Sequence, residues 1–485
     1  MRQIAITAVC VIISLAFTAC DLNEKIYGTI DDSSFWKTEK DFREGLNYAY
    51  GTLNTPYNGF SIWQYVIEDG GADYNASGAP YGDFYNYTNW SSTNPDGIDW
   101  GIYQYFWKEI SYINTTLDKI QDASIDEGAK TRYISEGRCL RAFLYFTLVQ
   151  WFKEVPLITS SQVMDYTIPQ ESPETIYAFI EKEFAECQDG LLSKPEMQAA
   201  GEQAYTHLTR GAAQALLART YLVQKKYDEC FQACKALITD TERYGTYSLM
   251  SNYKQMFRTK GFDNSEVLWA LAADGINNVS LLQVYLYKPW DVENPTVKRD
   301  TSYDIYYNWN GSIGVSPDFY NSFEVGDSRL ECLLYEPQCD KERVMVTKYP
   351  AETSDKILSS NDTPIIRWAD VLLMYAESAL LKSSPDTDTA LEQLKEVRKR
   401  TGLSPISSGL SPEELKWKIY EERRHELFME GCGKRDMLRF GTLRDHILSI
   451  STDAGNDPER YYYLPIPRTA LTANPALHQN SPNYK

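Results

Sequence analysis

The chain has 485 residues, with 48 Lys and Arg against 67 Asp and Glu and a formal net charge of −19 at pH 7. That balance excludes nucleic acid and anionic lipid as principal partners, because both require basic surface to offset phosphate charge. A chain of this length buries roughly three quarters of its unfolded surface, so a large core is expected without covalent staples.

The first element is a leader. Arg2 supplies one positive charge, Ile4 to Phe17 is almost wholly apolar, and Thr18-Ala19 precedes Cys20. An apolar run of about 14 residues falls short of the roughly 18 needed to span a bilayer. Residues 1–19 therefore read as a bacterial lipoprotein signal, with lipidation at Cys20. An ordinary secretory leader with an incidental Cys20, or a poorly formed anchor helix, are the alternatives. A lipidated Cys20 would tether the mature chain, residues 20–485, since each buried methylene contributes about 0.8 kcal/mol. No later stretch approaches 18 apolar residues.

Helical periodicity dominates most of the mature chain. Amphipathic helices are predicted over Gly101 to Ile120 and Thr131 to Phe152, the second ended by the extended Val155-Pro156. A third begins at Pro173 with Ser172 as its cap. "LTRGAAQALLARTYLVQKKYDECFQACKALI" reads as a helix-turn-helix in which Ala215, Ala218, Tyr221, Tyr227 and Ala233 fall at tetratricopeptide spacings. A similar pair lies in "IIRWADVLLMYAESALL" and "TALEQLKEVRKRTGL", then a helix over "SPEELKWKIYEERRHELFMEG". Repeated helix pairs predict a mainly α protein, a right-handed stack of hairpins in one body. The scaffold is assigned to residues 20–53, 100–260 and 361–485. Residues 54–99 and 261–360 break the pattern with polar, aromatic-rich sequence and short β-like runs such as "EVLWALAA" and "RVMVTKY". Long irregular stretches inside a compact chain are usually functional. Both are read as excursions from the scaffold that meet in space.

Aromatic residues concentrate there. Tyr81, Phe84, Tyr85, Tyr87 and Trp90 lie in the first excursion, and Tyr285, Tyr287, Trp290, Tyr303, Tyr306, Tyr307 and Trp309 in the second. Ring faces stack on the apolar C–H face of a pyranose, and sugar hydroxyls need amides and carboxylates at the rim. The candidate stacking residues are Trp90, Trp290, Trp309, Tyr81, Tyr85 and Tyr307, with Asn89, Asp83 and Asn308 as polar rim. The competing reading is that these rings pack the excursions onto the helices. For Trp63, Trp100, Trp107, Trp151, Trp269, Trp368 and Trp417, which sit on or beside regular elements, the core reading is preferred.

No catalytic or metal pattern is specific. Glu68, Asp69 and Asp73 lie close enough in sequence to suggest a glycosidase acid pair, but such neighbours arise by chance in so acidic a chain. "EERRHELFMEG" lacks the second histidine of a zinc helix, and its charges read as ion pairs. After Cys10 and Cys20, seven cysteines remain, an odd number with no C-x-x-C pair. Cys230 and Cys234 read as small core residues, and Cys332 with Cys339 could close a loop. No cofactor or metal is assigned.

At "EGRCLRAFLYFTLVQWFKEVPL", "PIIRWADVLLMYAESALL", "VRKRTGL", "EERRHELFMEGCGKRDMLRFG" and "YLPIPRTALTANPALHQNSPNY" the chain resembles the SusD/RagB family of surface lipoproteins. The acidic start "CDLNEKIYGTIDDSSFWKTEKDFREGLNYAYGTL" is similar to that family's amino-terminal segment. The resemblance implies four tetratricopeptide-like hairpins carrying an irregular ligand face. It also implies outer-membrane anchoring with exposure to the cell exterior, pairing with a TonB-dependent transporter of the SusC type, and glycan capture without catalysis. The motifs that carry it are scaffold, so no binding role transfers to them. A surface glycoside hydrolase and a transporter lid for a non-glycan nutrient such as peptides stay open as alternatives.

Overall fold

The computed structural model describes residues 35–54, 60, 64–69, 74–76, 101–163, 165, 167–257, 264–273, 313–334, 344–349, 361–450, 457–481 and 484. The fold is mainly helical, and the principal helices pack largely in chain order.

Helix α1 (Glu39–Thr52) opens on a capping box, in which the Thr38 hydroxyl accepts from the Asp41 amide while the Asp41 carboxylate accepts from the Thr38 amide. Helix α2 (Ile102–Gln121) agrees with its expected span. Helix α3 (Glu127–Phe152) begins four residues earlier than the periodicity indicates, because Asp126 caps it through the Ala129 amide. It is apolar around most of its circumference and lies at the centre, packed by α1, α2 and α4 (Pro173–Glu186). Ser172 caps α4, as expected.

The helix-turn-helix is present as α5 (Arg210–Val223) and α6 (Tyr227–Thr239). Ala212, Ala213, Ala215 and Ala218 are fully buried, which lets the helices approach closely, and the Gln214 amide donates across to the Ala233 carbonyl at 2.9 Å. The second pair is α7 (Trp368–Leu381) and α8 (Thr387–Arg400). Ser383 in its turn donates to Asp228 of α6 at 2.7 Å, joining one hairpin to the next.

Helix α9 (Pro412–Glu426), with its Ser411–Glu414 capping box, corrects one expectation. The sequence pattern runs the helix on to Gly431, whereas it stops at Glu426 because Met429 (φ 55°) and Gly431 (φ 73°) enter the left-handed region and turn the chain. Helix α10 (Gly433–Phe440) then starts in a new direction.

Short antiparallel ribbons sit on this body: β1 (Tyr74–Ala76) with β3 (Ile313–Val315), β2 (Val267–Leu271) with β6 (Thr363–Arg367), and β4 (Leu333–Leu334) with β5 (Met345–Val346). The β-like runs seen in the sequence become β2 and β5. Trp151, Trp269 and Trp368 are core residues, and Trp107 and Trp417 pack against the core half-buried. Trp63 and Trp100 lie outside the described residues. Cys230 and Cys234 are buried in the core, and Cys332 is a buried free thiol; Cys339 lies outside the described residues.

Candidate functional site

The two irregular excursions meet in the β1–β3 ribbon. Tyr74 pairs with Val315, Asn75 with Gly314 and Ala76 with Ile313. Because Ala76 faces Ile313, segment 77–100 departs from the same end of the ribbon at which segment 274–312 returns to it. Their other ends are tied through α1: the Tyr105 hydroxyl in the first turn of α2 donates to the Thr52 carbonyl at 3.0 Å, and Asn54 Nδ2 donates to the Ala272 carbonyl just past β2 at 3.1 Å. Trp90, Tyr81, Tyr85, Asn89 and Asp83 belong to the first segment and Trp290, Trp309, Tyr307 and Asn308 to the second. All nine, like Cys20, lie outside the described residues. What the structure brings together is the attachment points of the segments that carry them.

Beside these attachments, the turn between α9 and α10 is held on nearly every backbone group. Lys348 Nζ donates to the Phe428 carbonyl, the Tyr349 hydroxyl to the Met429 carbonyl at 2.7 Å, and Gln64 Nε2 to the Glu430 carbonyl at 2.8 Å. From the other side the Gly431 and Gly433 amides donate to the two oxygens of Asp69, at 2.6 and 3.0 Å. The first excursion contributes Gln64 and Asp69, the second Lys348 and Tyr349, so one turn clasps both to the scaffold. The fit around Gly431 leaves no room for a side chain: a Cβ there would stand 2.1 Å from Gln64 Nε2. Burial pushes the Asp69 carboxyl up to about 7, against the pull of its two amides. Sequence reasoning missed this clasp; its one visible trace is the Gly431-x-Gly433 pair where helical periodicity should continue.

The charges of "EERRHELFMEGCGKRDMLRFG" form buried ion-pair lattices, as expected. Arg367 bridges Glu266, Glu426 and Glu430, and Arg329 reaches Asp327, Glu422 and Glu426. In a second lattice Arg423 joins Asp370 and Asp436, Arg219 joins Asp370, and Arg439 joins Glu377 and Asp436. Burial alone would push the Asp370 carboxyl up, but Arg219 and Arg423 hold it down at about 2. Burial drives His425 the other way, down to about 2, with Arg329 and Arg424 adding to the effect. Its Nε2 lies 2.8 Å from the Ser322 hydroxyl, and its ring stacks on Phe323.

Glu68 and Asp69 have structural duties. Glu68 Oε1 accepts from the Trp151 indole at 2.7 Å and pairs with Arg435 at 3.0 Å, and both oxygens of Asp69 are taken by the clasp. Asp73 lies outside the described residues. Among the described residues no group of three or more His, Cys, Asp or Glu side chains is placed to hold a metal ion. Nor is any helix among them long and apolar enough to cross a membrane.

Two family models match the chain. Residues 338–484 match the SusD family, and residues 31–222 match a family described as starch-binding and associating with the outer membrane. SusD-like protein P38 of Formosa agariphila is 24% identical over 99% of both chains. A laminarin-binding SusD-like protein superposes with a TM-score of 0.76 at 23% identity, over 92% of this chain and 100% of that one. Surface glycan-binding protein A from Bacteroides uniformis gives 0.75 at 21% identity, with the same coverage. At these identities the likeness to solved structures shows a shared fold.

Proposed function

The chain belongs to the SusD/RagB family, and from that premise we propose that it is a non-catalytic outer-membrane lipoprotein, anchored through Cys20 and facing the cell exterior. It captures an oligo- or polysaccharide and passes it to a TonB-dependent transporter of the SusC type. The observation that carries the binding reading is the Ala76–Ile313 pairing. Two separate aromatic-rich segments, with residues 101–273 between them in sequence, are attached at one place on the scaffold, as a composite stacking platform requires. Trp90, Trp290 and Trp309, with Tyr81, Tyr85 and Tyr307, supply ring faces. Asn89, Asp83 and Asn308 supply hydroxyl partners at the rim. The names of the relatives, a laminarin binder and a surface glycan-binding protein, support the same ligand class. A hydrolytic role for Glu68 and Asp69 is disfavoured, since they are committed to Trp151, Arg435 and the backbone of the clasp.

The test is retention of the soluble form, beginning after Cys20, on a panel of neutral and acidic polysaccharides. A Trp90→Ala, Trp290→Ala, Trp309→Ala variant is run in parallel. One polysaccharide should retain the parent and release the variant while both melt at the same temperature. Retention by neither protein would remove the reading.

A further inference from the structure

A cavity of about 370 Å3 opens on the helical body where α10, the carboxy-terminal ends of α3 and α5 and the first turns of α4 converge. That volume lies at the lower end of the roughly 300–1,000 Å3 typical of small-molecule sites. None of its lining residues belongs to segments 77–100 or 274–312, so it is separate from the platform proposed above.

The donors on its wall suit an anion. Arg435 projects from the first turn of α10 with its side chain 13% exposed, its Nε 3.0 Å from Glu68 and its Cζ 5.6 Å from the centre of the Phe146 ring. That Nε is sealed in the interior, whereas the two terminal nitrogens stay accessible and have no hydrogen-bond partner among the described residues. A guanidinium held at Nε and open at both tips of its fork matches the two oxygens of one carboxylate. The Tyr177 and Tyr463 hydroxyls on the same wall likewise meet no partner among the described residues. Burial pushes both phenols above their ordinary range, so they stay protonated and can donate.

The charges around the cavity favour the same occupant. Lys226, Lys434, Arg435 and Arg439 line it, while Glu181, Glu377 and Asp436, which pair with Lys226 and Arg439, do not. Of the two carboxylates on the wall, Glu68 is committed to Trp151 and Arg435, and its second oxygen is sealed off from the cavity. Glu174 is exposed in the first turn of α4. Lys434 and Lys226 are already partnered, so the donors left for a ligand are the Arg435 fork and the two phenols. Negative charge from Glu174 and Glu68 nearby makes a single negative charge easier to admit than two.

From the open fork and the two hydroxyls beside it we infer that the cavity binds a small monocarboxylate, an organic acid or a single acidic sugar, through Arg435, Tyr177 and Tyr463. It is a pocket for one small unit and not for a chain, since its volume is modest. The tyrosine rings present apolar area to the body of the ligand while its carboxylate lies on the fork.

The experiment is calorimetric titration of the soluble chain, beginning after Cys20, with lactate and benzoate as plain organic acids and glucuronate and galacturonate as acidic sugars. Glucose and inorganic phosphate serve as the neutral and the more highly charged counterparts. At least one monocarboxylate should bind, and the group it belongs to tells the two sources apart. Glucose and phosphate should bind at least about tenfold more weakly. Arg435→Lys, which keeps a positive charge beside Glu68 but loses the fork, should weaken carboxylate binding by at least about tenfold. Tyr463→Phe, which removes one donor at nearly constant shape, should weaken it by up to about tenfold. The Trp90→Ala, Trp290→Ala, Trp309→Ala variant should bind the carboxylate as the parent does, whether or not the platform reading holds; loss there would place the binding elsewhere and overturn the inference. Absence of binding by any carboxylate at tens of millimolar would also overturn it, as would glucose or phosphate binding as tightly as the best carboxylate. So would binding that both Tyr463→Phe and a normally melting Arg435→Lys leave intact.

Discussion

Gly431 shows how one residue links the scaffold to the face that it carries. Its φ of 73° favours glycine, and a Cβ would collide with Gln64. Gly431→Ala should therefore lose about 1–3 kcal/mol from backbone strain and more from displacement of Gln64, read as a lowered urea midpoint; an unchanged midpoint would mean that the turn refolds around the methyl group. Asp69, which grips the same turn, makes a pH prediction. Its carboxyl moves from 3.8 to about 7 on folding, so between these values the folded chain holds a proton that the unfolded chain has released. Its contribution to stability falls as pH rises through that window and is constant above it. Asp69→Asn should remove this slope, so the difference in urea midpoint between parent and variant should change from pH 4 to 7 and level off beyond. A constant difference across the window would show the carboxyl charged throughout. His425 acts in the opposite sense, since its depressed pKa makes stability fall as pH drops below about 6.5, its unfolded value. Subtracting the variant's curve isolates Asp69 from it. None of this was legible in the sequence beyond the glycine pair, because the partners of residues 428–433 come from positions 64, 69, 348 and 349, and no local pattern connects them.

At the scale of elements, the helices were legible where their apolar period and caps agree. Ser172 before Pro173 and Ser411 before Pro412 announce the starts of α4 and α9, and the alanines of α5 announce a close pair. The errors came where a cap or a strained turn overrode periodicity, at Asp126 and at Met429. The charged motif of α9 and α10 was readable as ion pairs, but not its partners, since Arg219 and Asp370 arrive from other hairpins. Breaking this lattice tests how far it couples them. Arg423→Leu leaves Asp370 with Arg219 alone and Asp436 with Arg439 alone in the interior and should cost about 3 kcal/mol in chemical denaturation. Because Asp370 ionises near 2 in the folded chain against 3.8 unfolded, its stabilising contribution is complete above pH 4 and drains away toward pH 2. Acid unfolding should thus be less steep in the variant than in the parent. Equal steepness would assign acid sensitivity to the other lattice around Glu426, whose carboxyl burial pushes up but Arg400, Arg367 and Arg329 together hold well below the usual range.

For the whole molecule, composition and helix repeats sufficed to indicate a mainly α body, and the expectation that the excursions meet is met at the β1–β3 ribbon. Which aromatics form the proposed platform was not legible, because ring stacking depends on spatial angles that a list of aromatics does not contain. Anchoring can be tested in the cell: Cys20→Ser should shift the protein from the membrane fraction to a soluble one, and retention in the membrane would point to a different tether. The ribbon and the α1 contacts at Thr52 and Asn54 have a further effect on the history of such a chain. When the attachment points of a segment are fixed, its length enters folding chiefly as closure entropy, which rises by only about 0.6 kcal/mol for each doubling. Insertions, deletions and exchanges between Ala76 and Gly101, or between Ala273 and Ile313, are therefore cheap for the body that bears them. The specificity proposed for these segments is free to drift while the architecture stands still.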